Sequence, residues 1–349
     1  MIIILLVLAI LLTTLAVFEE HLGKYKIYVF LAVGVVFVLI TGFREVGIDR
    51  DSENYEYFFK NYDDPLLLLN VEFSYLWISK LFNAISQDVH LVFLFYAFLG
   101  ISTKWYAIPK LSPTWFLPLV IYLGHYYIVH DFTQIRAGIA SGLLLIAIYQ
   151  IIRQQKKVAF VIMLCALFFH YSSLILFPLL FLNNKEMRQK ELLFLIGIIP
   201  ICYILYFMKI NLLTTIPIPY ISDKIEAYSM LTERGLKGFD EINVFNLVFI
   251  VKIIIFIYIA YFYKTIKYYN ENVSILLRIQ ALSIYSFIIF AFLPVLSFRI
   301  SELFGIVDLI VYPCVYYTVK QSYVGKLITA TVGVILLLIN VFYVELLNI

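Results

Sequence analysis

Residues 158–182, VAFVIMLCALFFHYSSLILFPLLFL, form the stretch that decides the fold. The run is long enough to cross a bilayer, for which a helix needs about 20 residues. Its one polar break, His170-Tyr171-Ser172-Ser173, lies at the centre, and basic clusters flank both ends (Arg153, Lys156 and Lys157 before it, Lys185, Arg188 and Lys190 after it). Because Lys and Arg favour the cytoplasmic side, we predict a tight helical hairpin with the polar tetrad at its tip. The alternative is one long tilted helix, which would place loop 209–243 in the cytoplasm.

Apolar composition extends along the whole chain. Of 349 residues, 63% are hydrophobic and 14% are charged, against about 25% charged in an average soluble domain. Further apolar runs occupy 2–18, 27–43, 89–108, 114–130, 135–152, 192–208, 244–263, 278–298, 303–319 and 327–347. The sequence therefore predicts an all-α polytopic membrane protein with about ten to twelve transmembrane helices in one transmembrane domain, 1–349. The first run has no basic flank and no cleavage site, so it is expected to be a retained helix.

The charges of the connecting segments predict which of them share a side. Six segments hold 15 basic and five acidic residues: 19–26, 103–113, 153–157, 183–191, 264–278 and 320–326. Segment 44–70 shows the reverse, with three basic and seven acidic residues. The positive-inside rule then predicts two outer segments, a loop at 44–88 that contains a short re-entrant helix and a loop or lid at 209–243. Both termini are predicted to lie outside.

Three arginines lie where an apolar run meets the predicted outer face: Arg44, Arg136 and Arg299. Arginine at such a depth is costly unless it has a partner, and each of the three could instead reach the lipid headgroups or pair locally. Planar guanidinium groups bind phosphate oxygens in a bidentate manner, so three on one face predict a pyrophosphate site. Arg136 near a helix N-terminus would add the positive end of the helix dipole. Gly138-x-x-x-Gly142 predicts close approach of a neighbouring helix.

Three side chains on the same face are candidates for acid or base chemistry: His170, Asp49 and Glu72. The ordinary pKa of histidine lies near neutrality, which makes His170 the best general base or acid of the three. The alternative is a hydrogen-bonded histidine that caps the hairpin. The other histidines show no metal-ligand spacing, the three cysteines lie in apolar runs, and nucleic-acid motifs are absent. We therefore predict no metal site, no disulfide and no cofactor.

These clusters, in this order, resemble the EpsG/Wzy-like bacterial polysaccharide polymerases. The resemblance spans about residues 40–305, and each of its motifs is short. The matching motifs are R-x-x-G-x-D with a later tyrosine (Arg44, Gly47, Asp49, Tyr55), an acid that opens a short apolar helix (Glu72), Q-I-R-x-G-[IL]-A (Gln134, Arg136, Gly138, Ala140), F-H-Y-S-[SA] (Phe169 to Ser173) and a late arginine (Arg299).

The resemblance implies a metal-independent glycosyltransferase of GT-C-like architecture in the bacterial cytoplasmic (inner) membrane. A growing glycan would pass from undecaprenyl pyrophosphate to a new lipid-linked repeat at the outer leaflet, to make O-antigen, capsule or exopolysaccharide. The expected partners are lipid-linked oligosaccharides, membrane lipids and a chain-length regulator protein, and no nucleic acid. Besides the pyrophosphate and acid–base candidates, the expected substrate contacts are Arg50, Tyr55, Gln134 and Tyr171.

Two other functions stay open. An O-antigen ligase uses the same donor and also carries outer loops and arginines. A lipid-linked oligosaccharide flippase should present charges along a channel that opens to both sides. Only Lys252, Asp308 and Glu345 fall clearly inside the predicted spans, which favours an enzyme with access from one side.

Overall fold

The computed structural model describes residues 1–67, 71–210 and 242–348. The α-helices of this part are α1 (Ile2–Val17), α2 (Lys26–Gly42), α3 (Ser52–Lys60), α4 (Phe73–Asn83), α5 (His90–Leu111), α6 (Phe116–Gly124), α7 (Ile135–Ile152), α8 (Lys156–Phe169), α9 (Gln189–Phe207), α10 (Leu247–Tyr261), α11 (Tyr263–Tyr269), α12 (Val273–Ile289), α13 (Pro294–Gly305), α14 (Asp308–Val311) and α15 (Ser322–Phe342). A π-helix (Tyr127–Thr133) precedes α7, and 3₁₀-helices occupy Glu19–Tyr25, Tyr171–Phe181 and Tyr312–Thr318. The predicted all-α class is confirmed.

The chain forms two compact units. Unit 1 comprises Met1–Asn184, Lys264–Val273 and Asp308–Ile349, and unit 2 comprises Lys185–Tyr263 and Ser274–Val307. The single transmembrane domain stays a prediction. The predicted outer loop and lid at 209–243 lies almost wholly outside the described residues.

Five helices of the described chain are long and apolar enough to cross a membrane, or six if a bent pair counts as one span. Three further apolar helices are shorter: Ile2–Val17, Tyr171–Phe181 and Val273–Ile289. The predicted ten to twelve spans are not reached by this measure, because several apolar runs are broken. The runs expected at 278–298 and 303–319 are wrong in their bounds, since α12 ends at Ile289 and Pro294 opens a new helix. The fixed φ of proline suits the first turn of a helix and not its interior.

The helical hairpin at 158–182 is confirmed. The rings of Phe160 and Phe177 lie 5.4 Å apart, whereas 17 residues of continuous helix would separate them by about 25 Å. His170 breaks the helix with extended backbone angles, φ −149° and ψ 112°. The single long tilted helix is therefore wrong, and the polar tetrad lies at the tip.

Polar contacts within unit 1 join two pairs of the connecting segments that the charge pattern assigned to one side, 19–26 with 320–326 and 103–113 with 264–278. At one end, Lys26 pairs with Glu19 at 2.6 Å and Lys326 with Glu20 at 2.9 Å. The Asn270 amide donates to the carbonyl of Leu111 at that same end. At the other end, segment 344–348 contacts the loop at 44–51 through an isolated antiparallel bridge, Asp49 to Leu347. Which end faces outwards stays a prediction.

Close packing of α5 against α7 is also confirmed. A Cβ added at Gly142 would lie 2.0 Å from the Thr103 hydroxyl oxygen and 3.1 Å from the carbonyl oxygen of Gly100, both in α5. One assignment in this region needs correction. Lys104, expected in a basic loop at 103–113, is a fully buried residue of α5. It lies one helical turn from Gly100, which packs against Gly138 of α7, so its ammonium group reaches the packed interface.

Candidate active site

The site is built on α4, a short helix with one buried face. Tyr75 and Ile78 on that face pack into an aromatic core with Tyr55 of α3 and with Phe93 and Tyr96 of α5. Trp77 and Leu81 on the opposite face are exposed and apolar, which suits the predicted re-entrant or interfacial position. Glu72 is the N-cap residue of this helix, as predicted, but its side chain makes no capping hydrogen bond.

The Glu72 carboxylate is held instead by two other elements. The Nδ1 atom of His170, at the hairpin tip, lies 3.0 Å from Oε1, and Arg136 of α7 forms an ion pair with Oε2. The exposed fractions of the three side chains are 9% for His170, 10% for Glu72 and 18% for Arg136. His170 and Arg136, from distant motifs, thus both contact the Glu72 carboxylate. The contact lies at the end of unit 1 that the charge pattern predicted to be outer.

Aromatic residues border this cluster. The Arg136 guanidinium lies 5.4 Å from the centre of the Tyr55 ring, and burial raises the pKa of the Tyr55 hydroxyl, against the opposing effect of the Arg136 cation. Tyr171, which follows His170, accepts a hydrogen bond from the backbone N–H of Phe73 at 3.2 Å. More than half of Tyr171 is exposed, so its ring offers a flat face beside the cluster. Gln134 is the half-buried N-cap residue of α7.

Arg44 and Asp49 lie together, but as a buried pair. Nε of Arg44 donates to Oδ2 of Asp49 at 2.9 Å, and both side chains are 0% exposed. The guanidinium also donates to the carbonyl of Thr41 and lies 4.0 Å from the centre of the Phe93 ring. The other Asp49 oxygen, Oδ1, accepts the backbone N–H groups of residues 51 and 52. This geometry does not favour the predicted roles of Arg44 in binding pyrophosphate and of Asp49 as a base, because neither presents a surface to a ligand.

Arg50 and Arg299 are two further predicted contacts, and each has surroundings of its own. The Arg50 guanidinium donates to the backbone carbonyls of Val344 and Glu345. Glu345 itself follows the end of α15, so its expected position inside a span is wrong. Arg299 is exposed within α13, in unit 2. Its part in a pyrophosphate site stays a prediction.

The family model of the EpsG family matches residues 27–349. The chain belongs to the EpsG family. It is also similar to the amylovoran biosynthesis protein AmsC of Erwinia amylovora, with 23% identity over 300 residues that cover 82% of this chain and 78% of AmsC. No solved structure matches the chain. Family membership and this similarity support a general role as a polymerase-type protein of polysaccharide biosynthesis.

In this EpsG-family protein, the Glu72–His170 pair is arranged for proton transfer. An ionised carboxylate accepts a hydrogen bond from Nδ1–H, which leaves the imidazole lone pair on Nε2 and stabilises the imidazolium once a proton arrives. Arg136, in the first turn of α7, combines a fixed positive charge with the positive end of a helix dipole. Together they can remove a proton from a hydroxyl group and stabilise a phosphate that leaves.

Sequence reasoning missed one polar cluster of the EpsG-family chain. Lys104 Nζ lies 2.8 Å from Oδ2 of Asp131, and the Tyr122 hydroxyl donates to the same oxygen at 2.7 Å. A signal was present, because Lys104 stands within the apolar run 89–108 and Asp131 lies three residues before Gln134 of the Q-I-R motif. Within the described parts of the chain, no group of three His, Cys, Asp or Glu residues could hold a metal ion.

Proposed function

We propose that this protein polymerises lipid-linked oligosaccharide repeat units by transferring a growing glycan from undecaprenyl pyrophosphate to a new lipid-linked repeat. The observation that carries the proposal is the contact of Glu72 with both His170 and Arg136. It joins a proton acceptor to a cation at one end of an apolar helical unit, where a lipid-anchored substrate meets water. Membership of the EpsG family supports the same function.

The proposed reaction is a direct displacement. His170 Nε2 takes the proton from a hydroxyl group of the acceptor sugar, and that oxygen attacks the anomeric carbon of the donor glycan. The bond from the anomeric carbon to the pyrophosphate oxygen breaks, its electron pair goes to the lipid pyrophosphate, and the configuration inverts. Arg136 stabilises the negative charge that develops on the leaving group, and Glu72 stabilises the imidazolium.

The remaining predicted residues take supporting parts in this proposal. The exposed ring of Tyr171 and the amide of Gln134 border the cluster and are proposed as sugar contacts, beside Tyr55. The phosphate-binding role predicted for Arg299, in unit 2, is kept as a separate proposal. Arg44 with Asp49, and Arg50 with segment 344–348, are proposed to hold the loop beneath the site.

We further propose the bacterial cytoplasmic membrane as the location, with the site at the outer leaflet. The support is the charge of the opposite end of unit 1, where the basic segments 19–26 and 320–326 are linked through Lys326 and Glu20, because basic connectors favour the cytoplasm. Lipid-linked oligosaccharides and a chain-length regulator protein are the proposed partners.

Deletion of the gene, followed by electrophoresis of the surface glycan, tests the function. Single repeats on the acceptor would identify a polymerase. Loss of all glycan would indicate a flippase, and polymer that is not attached to its acceptor would indicate a ligase. Complementation with the wild-type chain should restore full-length polymer, whereas His170→Ala should leave single repeats at a normal level of membrane protein.

A further inference from the structure

A fully buried ion pair in unit 1 takes no part in the chemistry proposed above. The exposed fractions of Lys104 and Asp131 are 0% and 1%. A buried pair adds little net stability, since the cost of removing both charges from water offsets their attraction. Ionisable residues inside membrane helices are rare, costly and commonly functional. Lys104 and Asp131 therefore call for a role other than holding the fold.

The Lys104 ammonium joins two stretches on either side of a break in the backbone. The break is Gln134, with φ −92° and ψ 65°, between the π-helix and α7. Before the break, Asp131 binds Nζ of Lys104 through both carboxylate oxygens, at 2.8 and 3.0 Å. After it, the carbonyl of Gly138 accepts from the same Nζ at 2.7 Å. One cation holds both sides, and Arg136 lies between them.

Tight packing fixes this arrangement. A Cβ at Gly100 would lie 2.2 Å from Asp131 Oδ1, and the carbonyl of Gly100 also accepts from Lys104 Nζ at 3.2 Å. The Tyr122 hydroxyl holds the other carboxylate oxygen of Asp131. The direction in which α7 starts therefore depends on contacts that meet at the ammonium and the carboxylate.

We propose that Lys104 and Asp131 are positioning residues, which fix the first turn of α7 and so hold the Arg136 guanidinium against Glu72. The inference rests on the proposed function, in which Arg136 binds the donor pyrophosphate. Neither Lys104 nor Asp131 touches the substrate. They act through the direction of the helix that carries Arg136.

The double variant Lys104→Met/Asp131→Asn tests the proposal, because it removes both charges with little change in volume and leaves no lone buried charge. In the purified full chain, hydrogen exchange in segment 134–140 should rise about tenfold, while segment 156–169 keeps its wild-type exchange. The double variant should also need about tenfold more lipid-linked repeat for half-maximal polymerisation.

Lys26→Met/Glu19→Gln is the matched control, since that Lys–carboxylate pair lies at the opposite end of unit 1. It should leave both the exchange at 134–140 and the donor requirement unchanged. The single variants Lys104→Met and Asp131→Asn should reach lower membrane levels than the double variant, because each leaves one buried charge without its partner.

Wild-type exchange at 134–140 in the double variant would overturn the proposal. A rise in exchange throughout unit 1 would also overturn it, because the pair would then serve general stability. A rise in exchange confined to 134–140, with an unchanged requirement for lipid-linked repeat, would show that the Lys104–Asp131 pair does not act through Arg136. That result would also overturn the proposal. Failure of the proposed function looks different: gene deletion would leave the surface glycan unchanged, whatever the hydrogen exchange shows.

Discussion

Two arginine–carboxylate pairs lie at the same end of unit 1, and their surroundings are opposite. Arg44 and Asp49 are completely buried, with backbone groups and an aromatic ring around them. The side chains of Arg136 and Glu72 are 18% and 10% exposed, and the Glu72 carboxylate also contacts His170. The polar atoms of the first pair face the protein interior. The second pair is still partly exposed to solvent and contacts a titratable side chain, His170.

This difference separates a proposed structural brace, Arg44 with Asp49, from a proposed reactive cluster, Glu72 with His170 and Arg136, although the residue types match. A charge that is surrounded by fixed protein partners cannot exchange them for a substrate without a large cost of desolvation and rearrangement. A pair at the edge of the protein can exchange them. The variants below test that distinction, from the largest expected effect to the smallest.

The largest effect is expected at the reactive cluster. Arg136→Lys keeps the charge but loses the planar fork, and should remove about 2–4 kcal/mol of transition-state stabilisation. Glu72→Gln and His170→Ala should each slow polymerisation by about 10²–10⁴-fold. Polymer length on a gel, beside the amount of membrane protein, measures the effect. Arg153→Lys, at the far end of α7, is the control and should leave full-length polymer. Full-length polymer from Arg136→Lys would remove Arg136 from the site.

The brace should respond in stability and not in chemistry. Arg44→Leu leaves Asp49 buried without its partner, which should cost about 3–5 kcal/mol of unfolding free energy and lower the membrane level. Arg44→Met/Asp49→Asn removes both charges but keeps an oxygen that can accept the backbone N–H groups of residues 51 and 52, so it should recover much of that loss, with polymer of normal length. Thermal unfolding of the purified protein compares the two variants. A stable double variant that makes no polymer would contradict the comparison. It would indicate that Arg44 and Asp49 belong to the active site.

A smaller effect is expected where segment 344–348 holds the loop of the brace. The Asn348 side chain donates to the carbonyl of Gly47 at 2.8 Å. Its loss in Asn348→Ala should cost about 1 kcal/mol and increase proteolysis of loop 44–51 before it shortens the polymer. Asn272→Ala removes similar bonds, to the carbonyls of Lys110 and Leu111 at the opposite end, and should leave loop 44–51 unaffected. Equal proteolysis of this loop in both variants would argue against a local clamp.

The smallest effect is expected for a third ion pair, on the surface. Lys60 and Glu56 lie 2.9 Å apart on α3, with 59% and 33% of their side chains exposed. Exposed pairs at this spacing contribute about 0.3–0.5 kcal/mol, so Lys60→Ala should change neither polymer length nor protein level. A clear loss of polymer would show that α3 carries a substrate contact. Burial alone would then not distinguish the ion pairs that serve function from those that do not.

The sequence predicted those features that local pattern controls. The basic flanks of 158–182 and its polar centre were sufficient for the hairpin, and Glu72 opens a short helix as expected. The sequence could not separate Arg44 from Arg136, because burial of Arg44 depends on Phe93 and on Asp49 folding back over it. Lys104 was assigned to a loop from the basic charge of segment 103–113. Its buried contacts could not be recognised from local pattern, because Asp131 lies 27 residues away and Gly138 lies 34 residues away.

The contact of segment 344–348 with loop 44–51 has a consequence for biogenesis. Arg50 and its acceptor at Val344 are separated by 294 residues. At about 5–20 residues per second of synthesis, roughly 15–60 s pass between synthesis of the loop and synthesis of the segment that contacts it. During that interval the turn at Asp49 lacks the contacts that segment 344–348 provides. Closure of this end of the protein is therefore a late event in assembly, set by the pace of translation, and nascent chains held short of residue 344 would present an unfinished loop to membrane proteases.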